Sequence, residues 1–128
     1  MTFPEILKPT RNGGIFAMVY SAIEVQDLLT QYTSLVVAEL DIDEIWLFGS
    51  YAEGSPHEDS DIDLAVVSSV FPKQRYQALN VLYQKLWNVP GVPNIEIHVF
   101  SPEGFHHHFF GKAVQLNGKR IWQRQRVG

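Results

Sequence analysis

The chain has no cysteine among its 128 residues, so neither a disulfide framework nor a thiolate metal site is open to it. No apolar run reaches the roughly 20 residues that a membrane-spanning helix needs. Met1-Thr2-Phe3-Pro4-Glu5 lacks the basic start and long apolar stretch of a secretory signal, and the cytoplasm is the expected address. Internal repeats and low-complexity segments are absent too, and the length fits one domain burying roughly two-thirds of its unfolded surface. Positive charge is missing where it would be most noticed. No Lys or Arg lies between Arg11 and Lys73, while Glu39, Asp41, Asp43, Glu44, Glu53, Glu58, Asp59, Asp61 and Asp63 crowd one short stretch. A polyphosphate cannot approach such a surface unaided, but it can do so with magnesium, which binds one or two carboxylates and shares phosphate oxygens.

What is present centres on that acidic stretch. Glu44-Ile45-Trp46-Leu47-Phe48 is a short apolar run ending at Gly49-Ser50, and ten residues later Asp61-Ile62-Asp63-Leu64-Ala65-Val66-Val67 begins a second. Both read as strands. Side chains alternate along a strand, so Asp61 and Asp63 share one face while Ile62, Leu64 and Val66 anchor the other. Gly49 lets backbone come close to a ligand, and Ser50 opens a turn whose backbone N–H groups favour an anion. Taken singly, each half also fits an ordinary solvated turn.

Together, Phe48-Gly49-Ser50-Tyr51-Ala52-Glu53-Gly54 and Ser60-Asp61-Ile62-Asp63-Leu64-Ala65-Val66 resemble the signature of the minimal nucleotidyltransferase (MNT) domains of the DNA polymerase β superfamily. The ten-residue gap is the form seen in MNT antitoxins that pair with HEPN-domain toxins. The resemblance covers about residue 21 to the C-terminus. It implies a nucleotidyltransferase fold, ATP as substrate, Mg2+ held by Asp61, Asp63 and a third acid, and Gly49 and Ser50 cradling the ATP phosphates. Asn94-Ile95-Glu96-Ile97-His98-Val99-Phe100 is the later segment with strand alternation, and Glu96, its sole acid, matches the third acidic position. There it would share the metals and help orient or deprotonate the attacking hydroxyl. Without the motif, Glu96 reads as an exposed polar residue on an edge strand. His98 faces the same way and either lines the acceptor side or is simply half-buried. One departure stands out: Glu53 occupies the place where many relatives carry Arg, in Gly-Ser-x-Ala-Arg-Gly.

The rest of the chain frames this site. Residues 1–20 hold Pro4, Pro9 and Gly13-Gly14 and read as an N-terminal arm, with Met18 a possible start of the functional domain that then fills 21–128. Ser21-Ala22-Ile23-Glu24 has capping-box form, and Val25, Leu28, Leu29, Tyr32, Val36 and Leu40 predict a helix to about Leu40. A second helix is expected from near Pro72, with Tyr76, Leu79, Leu82, Tyr83 and Leu86 on one face, ended by Pro90, Gly91 and Pro93. Ser101-Pro102-Glu103 caps a third, carrying Phe105, Phe109, Ala113 and Leu116 until Asn117-Gly118. Lys119-Arg120-Ile121-Trp122 follows as a short strand or tail.

This order gives an α/β (α+β) fold, a small mixed sheet with helices packed on it. The loop between the motif strands is too short for a helical crossover, which favours antiparallel pairing. No room remains for the second domain that larger nucleotidyltransferases carry, so a partner or a second copy is expected to complete the cleft, as a hetero-oligomer or homodimer. His106-His107-His108 cannot all ligate one ion from an intact helix, because consecutive residues point about 100° apart. The basic segment Lys112 to Arg126 is read as solvated or as meeting an acidic protein surface, with no direct nucleic-acid binding expected.

The leading expectation is a metal-dependent transfer of AMP from ATP to a hydroxyl. The resemblance alone implies that the acceptor is a tyrosine of a HEPN ribonuclease toxin. Nucleotide transfer to a small molecule such as an aminoglycoside, or an antitoxin acting only by binding, are the alternatives.

Overall fold

The computed structural model describes residues 6–9, 16–19, 22–53, 62–89 and 95–125. Its β-branched and aromatic runs pair as a four-stranded sheet. Strand β3 (Glu44–Phe48) runs antiparallel to β4 (Ile62–Val67), with Phe48 opposite Asp63. Strand β5 (Ile95–Phe100) pairs parallel to β4, with Glu96 opposite Asp63, and β6 (Lys119–Gln123) pairs antiparallel to the free side of β3. The order is β5-β4-β3-β6. A parallel neighbour requires a long crossover, and helix α3 (Arg75–Leu86) lies within it. The mixed sheet and the antiparallel motif strands are as expected.

Period-two alternation divides each strand between two layers. On one face Ile45, Leu47, Ile62, Leu64, Val66 and Ile97 pack with Val25, Leu28, Leu29, Tyr32 and Val36 of α1 (Ala22–Val37) and with Ala78 and Leu82 of α3. The Tyr32 hydroxyl donates to the Leu82 carbonyl at 2.7 Å, tying the two helices together. Burial pushes that hydroxyl's pKa well above the usual tyrosine range. On the opposite face Ala65 and Val67 pack with Phe105 and Val114, flanked by Trp46, Phe48, Phe100 and Phe110. Asp63, Glu96 and His98 alternate onto this second face, at the end of the sheet where β3 finishes and β4 and β5 begin.

Two expectations change. Helix α3 buries Ala78 and Leu82, while Tyr76 is 86% exposed. Its contact with α1 is a narrow stripe of residues four apart, and Tyr76, two residues from Ala78, lies about 200° around the helix. The third predicted helix is two, α4 (Pro102–His107) and α5 (Phe109–Asn117), with His108 extended between them (ψ 144°). The His108 ring accepts the Phe110 N–H at 3.2 Å and so caps α5. Gly111 packs so tightly on the Phe105 backbone that the bend leaves no space for a side chain there. Helical spacing is thereby reset, so Phe105, Gly111 and Val114 are buried while Phe109 and Leu116 face out. Within the segment read as an arm, β1 (Ile6–Pro9) and β2 (Phe16–Val19) form a separate antiparallel pair, with Met18 opposite Leu7.

The basic C-terminal segment meets acidic groups of its own chain. Arg124 donates to the Ile42 carbonyl at 3.1 and 3.2 Å and pairs with Asp41 and Asp43, pinning the end of β6 to the loop before β3. Arg120 lies 3.5 Å from Glu44. Among the described residues no helix is long and apolar enough to cross a membrane.

Candidate active site

The site is built where β3 turns back toward β4. Gly49 follows Phe48 with φ +79°, a backbone conformation that costs an L-residue roughly 1–2 kcal/mol. A Cβ at this position would lie 2.5 Å from Asp63 Oδ2. Glycine is required twice over, for the turn and for the close approach of backbone to carboxylate. The chain then enters the single turn α2 (Ser50–Glu53), whose Ala52 and Glu53 N–H groups both donate to the Gly49 carbonyl at 3.0 Å. Ala52 is buried, which anchors this turn to the core, and Glu53 is exposed.

Strand register brings the remaining groups together. Asp63 and Glu96 are direct neighbours across the β4–β5 pair, and His98 stands two residues further along β5 on the same face. His98 Nε2 lies 3.8 Å from Asp63 Oδ1 and 3.7 Å from Glu96 Oε1. Its ring is held against Phe48 and Phe110 at centroid distances of 5.2 and 5.6 Å. One ligand atom from each of Asp63, Glu96 and His98 falls within 4.8 Å of the others. Ligands at right angles on a divalent ion about 2.1 Å away are about 3 Å apart. Small side-chain adjustments therefore suffice for these three to share one ion, and the donor set fits a divalent cation.

Of the residues singled out in the sequence, Gly49, Asp63 and Glu96 converge here, and His98 joins them. Asp61 lies outside the described residues, as does the side chain of Ser50. His106 and His108 stand outside this cluster. His106 sits 3.7 Å from Glu44, at the far end of the sheet from Asp63, and His108 caps α5. A shallow cavity of about 350 Å3 opens beside His98, walled by Arg75, Phe100, His108, Phe109 and Phe110. Arg75 and Phe110 carry no sequence signal for this role, because the break at His108 that turns Phe110 inward is invisible to a helical repeat. A second groove of about 540 Å3 runs between α1 and β6, past Thr33, Tyr51, Lys119 and Trp122.

Comparison with known proteins adds to this geometry. The profile of the nucleotidyltransferase domain family matches residues 33–122. A candidate protein adenylyltransferase of Methanocaldococcus jannaschii, MJ1379, is 22% identical over 92 residues, covering 72% of this chain and 89% of the relative. The crystal structure of a candidate nucleotidyltransferase from Sulfolobus solfataricus superposes with a TM-score of 0.61 at 18% identity, over 80% of this chain and 84% of that one. A toxin–antitoxin structure solved with AMP-PNP overlaps more loosely, with a TM-score of 0.49 at 22% identity over 78% of this chain and 74% of that one.

Proposed function

The chain belongs to the nucleotidyltransferase domain family, and we propose that it moves AMP from ATP to a tyrosine hydroxyl of a HEPN ribonuclease, acting as that toxin's antitoxin. The observation that carries the chemistry is the direct pairing of Asp63 with Glu96 under the Gly49 turn. In this reading Gly49 and Ser50 hold the β- and γ-phosphates of ATP. Asp61, Asp63 and Glu96 hold Mg2+, which when bound offsets phosphate charge and polarises the α-phosphate. The acceptor oxygen attacks the α-phosphorus, the bond from that phosphorus to the bridging oxygen of the β-phosphate breaks, and pyrophosphate leaves. Glu96 orients the hydroxyl and takes its proton. Its side chain is the most open of the three clustered groups, at 59% exposed against 23% for Asp63 and 30% for His98, which suits a group facing an incoming acceptor.

A protein acceptor is supported by two observations. The ten-residue gap between Gly49-Ser50 and Asp61 resembles that of MNT antitoxins, and the Methanocaldococcus relative is named for adenylyl transfer to protein. The cavity beside His98 sets the rings of Phe100, Phe109 and Phe110 next to Arg75 and His108, a mixed lining that suits an aromatic side chain carrying a hydroxyl. Glu53 favours a second reading, neutralisation by binding alone, because it sets a carboxylate on the exposed side of α2 where many relatives carry Arg.

Intact-mass analysis of the HEPN protein after incubation with this chain, ATP and Mg2+ separates the two. A gain of one or more AMP units that Asp63→Asn abolishes is the expected result. A stable complex without mass gain would leave binding as the function.

A further inference from the structure

We propose that His98 is itself a metal ligand, making the site a mixed nitrogen–oxygen centre that takes Mn2+ in preference to Mg2+. The inference rests on the proposed metal-dependent reading of the same site but is tested apart from any transfer. His98 Nε2 stands almost equally far from both carboxylates, 3.8 Å from Asp63 and 3.7 Å from Glu96. The ring does not reach this position by chance of surface rotation. Phe48 and Phe110 pack against it from β3 and α5, and it is only 30% exposed. With its proton on Nδ1, an imidazole fixed this way presents the Nε2 lone pair toward Asp63 and Glu96. Mg2+ is a hard ion that takes oxygen and releases water reluctantly, whereas first-row transition ions accept imidazole readily. Replacing one oxygen donor by nitrogen therefore shifts selectivity toward manganese.

The competing account is that a protonated His98 merely bridges two carboxylates as an ion pair. Electron spin-echo spectroscopy of Mn2+ bound to the full chain distinguishes them. A nitrogen coupling is expected in the wild type and absent in His98→Gln. Competition titration is expected to lower the Mn2+/Mg2+ affinity ratio of that variant by about tenfold or more, at least what loss of an orienting partner costs a metal site. Because the chain has five histidines, broadening of the His98 ring-proton resonance by substoichiometric Mn2+ provides a check in the unmodified protein. Absence of nitrogen coupling, an unchanged affinity ratio, or Mn2+ broadening confined to the other histidines would overturn the proposal. AMP transfer through oxygen ligands alone would survive any of these outcomes.

Discussion

Replacing Gly49 by alanine isolates how the turn and the carboxylate constrain each other. Holding a residue with a side chain at φ +79° costs about 1–2 kcal/mol. The new Cβ, 2.5 Å from Asp63 Oδ2, adds a steric clash of about 1–3 kcal/mol, the usual range for overpacking. Gly49→Ala is thus expected to cost about 2–5 kcal/mol in the wild-type background. Asp63→Ala removes the offending oxygen and Cγ, leaving Asp63 Cβ at an ordinary 3.6 Å from the added methyl. In that background only the backbone term should remain, about 1–2 kcal/mol. The four proteins form a double-mutant cycle whose coupling energy reports the clash. Denaturant unfolding followed through Trp46, which lies in β3, supplies all four stabilities. An equal cost of Gly49→Ala in both backgrounds would refute the close approach, and a cost under about 0.5 kcal/mol would refute the left-handed turn as well.

Two further substitutions probe the scaffold. Tyr32→Phe removes the buried hydrogen bond that joins α1 to the Leu82 carbonyl and should cost about 0.5–1.5 kcal/mol by chemical denaturation. Because the folded state raises the Tyr32 pKa, the unfolded state loses that proton first. Wild-type stability should therefore fall as pH rises above the usual tyrosine value of 10.0, a slope that Tyr32→Phe should lessen. Gly111→Ala forces a methyl into the Phe105 backbone and should destabilise the chain by about 2 kcal/mol or more, read as a lowered Tm. A neutral result would mean that α4 and α5 do not meet as closely as described.

The motif strands were legible because their signals are local. Alternation in Ile62 to Val67 and Ile95 to Phe100 assigns each side chain to a face before any pairing is known. Glu96 and His98 could be placed on one side of β5 for that reason. Their distance from Asp63 could not, since it depends on register across a crossover that the sequence does not encode locally. The helices were less legible where tertiary contacts override spacing. Tyr76 fits an apolar stripe on paper, yet the face of α3 is chosen by α1 through Ala78 and Leu82. The break between α4 and α5 was hidden because Phe105 and Phe109 look like successive turns of one helix. Only the fit of Gly111 against Phe105 and the His108 cap reveal otherwise.

The parallel pairing of β4 with β5 has a consequence for how this chain can vary in length. Asp63 and Glu96 meet through ladder register alone, while the 68–94 segment joining them lies outside the two strands. Residues can be added to or removed from that crossover without changing which carboxylates face each other. A single insertion inside β5 between Ile95 and Glu96 would instead turn the acid inward, toward Ile62 and Leu64, and bring an isoleucine to the site. Length variation among related chains should accordingly concentrate in the crossover and spare the strands.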